Sequence, residues 1–193
     1  MEIRILGPLE VSDGGCVLEL GGVRQRVLLA RLAVSANRVV PVDTLLDELW
    51  GSQPPAGARQ ALQAQASRLR KVLGDPERLV ARAPGYVLRL GPDELDAARF
   101  EALLAQARAA VADGDRQTAA RRFAEADGLW RGPVLAEFAD SGFAQAEAAR
   151  LGELRLGAIE ARMDAELDLG RHDQVVAELG GWRGLTPTGS GCG

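Results

Sequence analysis

The sequence predicts an α+β unit over residues 1–92 followed by an all-α unit, and three observations carry that division. Short strand-like runs bounded by Gly- and Pro-rich turns open and close the first part. From residue 93 the pattern changes to long Ala- and Leu-rich stretches of helical period. Charge divides at the same place: residues 1–92 hold 12 basic and 9 acidic side chains, residues 93–193 hold 11 and 18, and the whole chain carries −4. An asymmetry of this kind points to a nucleic-acid-facing half and a protein-facing half.

Taken in order, "EIRIL" and "CVLEL" read as the strands of a hairpin around the Gly-rich turn "SDGG". "VRQRVLLARLAVSA" is a helix with Val27, Leu28, Ala30 or Arg31, Leu32 and Val34 on its apolar stripe, and Asn37 is its stop. "RVV" is a brief extended segment. "PVDTLLDELWG" is a short helix with Pro41 at its start, Asp43 in the first turn and Gly51 at its end. "SQPPAG" is a loop, because each Pro pushes its predecessor out of the helical region. "GARQALQAQASRLRKVLG", residues 57–74, is the third helix, "GDPE" turns the chain, and "RLVARAPGYVLRLG" gives two strands around Pro84 and Gly85. This is the order of a winged helix-turn-helix with an N-terminal antiparallel sheet. Beyond residue 92, "AARFEALLAQARAAVADGD" and "RQTAARRFAEADGLWRG" form a helical hairpin, and residues from Phe143 repeat the arrangement with longer helices. Approximate helical-hairpin repeats read as a stacking scaffold for protein contacts.

Composition excludes several classes of chemistry. The cysteines, Cys16 and Cys192, lie near opposite ends, which gives neither a disulfide framework nor metal spacing. His172 is the only histidine, so zinc sites and imidazole-based triads have almost nothing to draw on. No glycine-rich nucleotide loop is present. The expectation is a protein that is not an enzyme and needs no cofactor or metal. No apolar run approaches a membrane span, and "MEIRILGPLEV" lacks a signal peptide's apolar region, so the expected location is the cytoplasm, with the nucleoid. The basic residues are 22 Arg and one Lys, a bias that GC-rich coding produces.

The third helix carries the functional signal. From Gly51 through Gly74 there is no Asp or Glu, although Arg59, Arg68, Arg70 and Lys71 fall in that window. At 100° per residue Leu62, Ala66, Leu69 and Leu73 form one stripe, with Ala58 and Val72 at its edge. Gln60, Gln63, Ala64, Ser67 and Lys71 fall on the opposite face, with Arg68 and Arg70 on its flanks. Small residues at 64 and 67 let a groove approach the backbone, Gln pairs with base edges, and Arg and Lys pair with guanine edges or phosphates. A Gln- and Arg-rich face is more often simply solvated; the acid-free window, the preceding short helix and loop, and a hairpin carrying Arg82 together favour DNA. Arg24, Arg26 and Arg31 on the first helix read as surface charges, Trp50 as core, and Tyr86 as core in preference to a groove contact. Few aromatics in the basic half disfavour stacking on single strands.

"LLDELWGSQPP", "LQAQASRLRKVLG" and "APGYVLRL" resemble the OmpR-type DNA-binding domain in the version found in the Streptomyces antibiotic regulatory protein family, and the resemblance covers essentially all of residues 1–92. "DELDAARFEALLAQARAA" and "EADGLWRGPVLAEFAD" resemble that family's bacterial transcriptional activation domain, which is similar to tetratricopeptide repeats. The resemblance implies a transcriptional activator of a secondary-metabolite gene cluster, bound to direct repeats in promoter DNA as two tandem protomers. It implies that Ala64, Ser67, Arg68 and Lys71 reach the major groove with Gln63 and Arg70 beside them, and that Arg82 to Tyr86 form the wing at the adjacent minor groove. It also implies that the loop from Gly51 to Gly57, with Ser52, Gln53, Pro54 and Pro55, meets RNA polymerase. Residues 93–184 then form an activation domain shorter than the family's usual one, and residues 185–193, "LTPTGSGCG", a flexible tail with Cys192 as an exposed thiol. The competing reading is a helical-repeat adaptor whose winged helix contacts proteins only.

Overall fold

The first strands show why the N-terminal hairpin expected from the sequence is a three-stranded meander. In the computed structural model, which describes residues 1–172, β1 (Glu2–Arg4), β2 (Glu10–Asp13) and β3 (Cys16–Val17) pair antiparallel in that order, with Ile3 opposite Val11 and Asp13 opposite Cys16. Ser12 and Asp13, expected in the turn, complete β2, and the turn proper is Gly14–Gly15, whose φ angles of 55° and 84° suit glycine. β2 is held by its pairing with β1, where the fully buried Val11 faces the fully buried Ile3.

Helix α1 (Val23–Val34) follows and ends before Asn37, which takes the left-handed conformation at φ 62°. The Asn37 side chain brackets Leu90, donating to its carbonyl and accepting from its amide, both at 3.0 Å. Its buried set is Gln25, Leu28, Leu29, Ala30, Leu32 and Ala33, wider than the expected stripe, and Val27 and Val34 are half-buried. The reason is tertiary: α1 packs against two later helices of its own half and also against the last described helix of the other half.

A second antiparallel sheet, in the order β4-β6-β5, joins β4 (Val40–Pro41) to β6 (Gly85–Leu88) and β6 to β5 (Leu79–Arg82), while α2 (Val42–Trp50) and α3 (Ala58–Leu73) lie between β4 and β5 in the chain. Gly85 faces Pro41, and a Cβ there would stand 1.8 Å from the Val40 carbonyl oxygen, so this pairing requires glycine. Gly51, Gly57 and Gly74 all have positive φ and mark the ends of α2 and α3 where the sequence put them.

In the second half α4 (Asp96–Ala112) and α5 (Arg116–Asp127) form the expected hairpin, a 3-10 turn spans Ala136–Phe138, and α6 (Gly142–Asp168) packs on α5. Asp115 caps α5 by accepting from the Thr118 amide at 2.9 Å. Buried Ala107, Ala119, Ala120 and Ala126 allow close helix approach around Phe100 and Phe123. The fold is therefore an α+β winged helix-turn-helix followed by an all-α domain, as the sequence predicts.

The junction between the halves is a weld, which the sequence does not announce. Leu95 forms a parallel bridge with Ile3, the Ile3 amide donates to the Glu94 carbonyl at 2.7 Å, and the Arg131 and Leu135 amides donate to the Leu6 and Ile5 carbonyls at 2.8 and 3.1 Å. One apolar cluster runs from Ile5 and Leu28 through Leu69 to Phe100, Leu135 and Leu151. The expectations for residues 185–193, including the Cys192 thiol, lie outside the described residues. Among those described, no helix is long and apolar enough to cross a membrane.

Candidate nucleic-acid interface

Helix α3 sorts its residues as its period dictates. Ala58, Leu62, Ala66, Leu69 and Leu73 are buried; Gln60, Gln63, Ala64, Ser67, Arg68 and Lys71 are exposed. The six exposed residues expected at a groove therefore share one accessible face on a helix fixed by its apolar side. Arg82 is exposed at the end of β5, beside the wing turn, and Tyr86 is buried, in the core position favoured for it. Ser52, Gln53, Pro54 and Pro55 are all exposed in the loop between α2 and α3, and the Pro55 carbonyl accepts from the Ala58 amide at 3.0 Å, which ties the loop to the start of α3.

Arg70 departs from the flank of that face. It is half-buried, its Nε donates to the Leu79 carbonyl at 2.6 Å, and its guanidinium lies 6.0 Å from the Tyr86 ring centroid. Arg70 therefore fastens α3 to the wing hairpin, a stacked and hydrogen-bonded placement that the guanidinium serves well. Nor is the acid-free window isolated in space: Asp43 at the start of α2 reaches Arg59 at 2.6 Å, although both side chains are largely exposed and such a pair contributes little.

The three arginines of α1 are not equivalent surface charges. Arg24 stacks over Trp50, 5.7 Å from its ring centroid, and remains exposed. Arg26 donates from Nε to Glu137 at 2.9 Å, reaches the same carboxylate through Nη2, and bonds the Leu9 carbonyl; Glu137 in turn accepts from the Leu9 amide at 3.0 Å. Arg31 bonds the Ser35 hydroxyl at 2.7 Å, lies 3.7 Å from Glu48 and stacks 5.9 Å from Phe143. Arg26 and Arg31 thus join the two halves. Burial pushes the Glu48 carboxyl above its ordinary range, partly opposed by Arg31. No spacing within α1 could have revealed partners more than a hundred residues away.

Two carboxylates secure the junction between the halves. Glu94 receives both terminal nitrogens of Arg78 at 2.8 Å and the Gly91 amide at 2.8 Å, and the Arg78 pairing holds its carboxyl down to about 2. Asp96, 2% exposed, accepts from the amides of Ile5, Leu6 and Ala97 at 2.8, 2.9 and 2.8 Å. Burial pushes its carboxyl up, and the three amides and Arg131 pull against that. Among the described residues no group of three or more His, Cys, Asp or Glu could hold a metal ion.

The fold and the exposed, cationic helix face define a winged-helix protein with an appended helical domain. Comparison with known proteins makes this specific. Residues 20–88 match the family described as "Transcriptional regulatory protein, C terminal", and residues 95–189 match the "Bacterial transcriptional activator domain". The regulatory protein DnrI of Streptomyces peucetius is 38% identical over 189 residues, covering 93% of this chain and 70% of its own. The regulatory protein AfsR of Streptomyces coelicolor is 42% identical over 180 residues, 93% of this chain and 18% of its own. The structure of Mycobacterium tuberculosis EmbR in complex with a low affinity phosphopeptide matches with a TM-score of 0.90 at 37% identity, over 94% of this chain and 49% of that one. This chain belongs to the Streptomyces antibiotic regulatory protein family of transcriptional regulators, and both of its matched domains are domains of transcriptional regulators. It spans less than a fifth of AfsR and about half of the EmbR chain.

Proposed function

We propose that this chain is a sequence-specific DNA-binding activator that lays α3 in the major groove of promoter DNA and turns loop 51–57 and the helical half towards RNA polymerase. The observation that carries the reading is the exposed face of Gln60, Gln63, Ala64, Ser67, Arg68 and Lys71, which contains no carboxylate and stands on a helix locked from behind. Gln, Arg and Lys are the side chains that pair with base edges in the major groove. In this reading Arg82 at the wing lies on the adjacent minor groove, and Arg70 acts indirectly, by holding the wing against α3. Membership of the family supports target promoters of a secondary-metabolite gene cluster, read as direct repeats by two tandem protomers in the cytoplasm. Residues 1–92 serve as the reader and residues 93–184 as the activation module, and the described parts of the two are joined through the welded junction.

Footprinting on the promoters neighbouring its own gene tests the reading. The double variant Arg68→Ala, Lys71→Ala is expected to lose about 1–3 kcal/mol of specific binding for each side chain that reads a base, with a native circular dichroism spectrum. Unchanged affinity across a salt titration would remove α3 as the reader, and no preference for promoter over random duplex would leave the adaptor reading in its place.

A further inference from the structure

One carboxylate stands at the end of the otherwise acid-free α3 face. The cations of α3 are Arg59, Arg68, Arg70 and Lys71, and among the described residues only Arg59 meets an acid: its Nη2 donates to Asp43 Oδ1 at 2.6 Å. Arg70 bonds a backbone carbonyl instead. Asp43 is the second residue of α2, and the start of α2 is fastened to the wing. The Val42 amide donates to the Pro84 carbonyl at 3.1 Å, and Pro41 pairs with Gly85, which faces Arg82 across the hairpin. Arg59 is the second residue of α3, next to Gln60 and one turn before Gln63 of the exposed face. The Arg59–Asp43 pair therefore lies where the first turn of α3 meets the wing turn.

That place has a meaning for a duplex. Where α3 occupies the major groove and the wing the adjacent minor groove, the sugar-phosphate strand that divides the two grooves must pass between them. Arg70 and Tyr86 join α3 to the wing behind this gap, and Arg82 is exposed on its wing side. Arg59 is the exposed guanidinium on the α3 side, and the group it now holds is a carboxylate. Guanidinium donors serve carboxylate and phosphate alike. The side chains of Arg59 and Asp43 are 66% and 80% exposed, so the pair is open to an incoming strand and adds little to the fold.

We propose that Arg59 takes a backbone phosphate of the strand between the two grooves, and that Asp43 competes with that phosphate and holds down affinity for DNA of any sequence. The proposal rests on the DNA-binding reading and deepens it: the exposed face of α3 reads bases, whereas Arg59 contributes position and affinity without sequence. Asp43 takes part of that affinity back. Because the contested contact carries no sequence information, the competition acts by the same factor on promoter and random duplex, and it shortens retention on random sites.

The test uses the full chain as Asp43→Asn, Arg59→Ala, Arg59→Lys and the double variant Asp43→Asn, Arg59→Ala, each titrated with promoter and random duplex over a salt series. Asp47→Asn, which removes an exposed carboxylate one turn further along α2, controls for net charge. Circular dichroism and thermal melting confirm that each variant is folded. Asp43→Asn is expected to bind both duplexes about three- to tenfold more tightly. Arg59→Ala is expected to bind both about three- to tenfold more weakly with a salt slope reduced by about one, and Arg59→Lys to keep the slope. Asp47→Asn should stay within about twofold of wild type, and the gain from Asp43→Asn should shrink in the Arg59→Ala background, since the competition needs both partners. Unchanged or weaker binding by Asp43→Asn overturns the proposal, as does an equal gain from Asp47→Asn, a full gain without Arg59, or a loss in Arg59→Ala confined to the promoter duplex. If the wild type binds no duplex, the DNA-binding reading falls and the proposal with it; if it binds and these variants do not differ from it, the proposal alone falls.

Discussion

Replacing Asp96 by Ala removes the acceptor on which the seam between the halves closes. Its carboxylate takes the Ile5 and Leu6 amides, donated from a segment 90 positions earlier, at 2.8 and 2.9 Å, together with the Ala97 amide at 2.8 Å. Ile5 and Leu6 are themselves fully buried, so water cannot replace the lost acceptor without entering the core. Each buried amide left unpaired costs about 1–3 kcal/mol. Releasing the carboxylate from burial, which pushes its pKa up, offsets part of this. The net expectation is a loss of about 2–4 kcal/mol, a large share of the stability of a domain this size. Asp96→Asn is expected to be no better, because its amide nitrogen must face a backbone N–H. Urea unfolding followed by circular dichroism measures both, and hydrogen exchange at Ile5 and Leu6 shows whether the seam opens first. A loss below about 1 kcal/mol in both variants would refute the reasoning.

Glu94 gives stability a pH dependence. Its folded-state pKa is lowered, from 4.5 to about 2, so its contribution is present above about pH 4.5 and is lost as pH falls towards 2. With a quarter of the side chain exposed, about 1–2 kcal/mol is expected, and Glu94→Gln should flatten the acid limb of a stability–pH curve; an unaltered limb would count against it. Gly85→Ala should cost about 1–3 kcal/mol or more, because its Cβ meets the Val40 carbonyl at 1.8 Å; a melting temperature equal to wild type would contradict the strand pairing. Substituting Gln53 and shortening the Pro54–Pro55 segment should lower transcription in vitro more than promoter binding. Equal losses would mean that the loop only positions α3.

Local signals were legible wherever the deciding interactions lie within a few residues. The limits of α3 follow from Gly57 and Gly74, its buried stripe from a 3.6-residue period, and the wing from the "APGY" turn. The exposed face of six polar and small residues needed no more than that period. The β2 strand is not legible locally, because Glu10, Ser12 and Asp13 beside a Gly pair look like part of a turn until β1 is laid against them. Arg70 was legible as a flank position but not as a clamp, since its acceptor, Leu79, belongs to a strand whose approach only folding sets.

What the sequence by itself determined is therefore the order of elements, the helix ends and the division of α3 into a core side and a cationic side. The tertiary structure alone decided that the two halves share one core, that Arg26 meets Glu137 and that Asp96 serves Ile5 and Leu6. The physical reason is the range of the forces involved: period, turn chemistry and capping act between near neighbours, whereas an unpaired buried amide or charge takes whatever partner the packed chain brings to it, here 90 to 111 positions away.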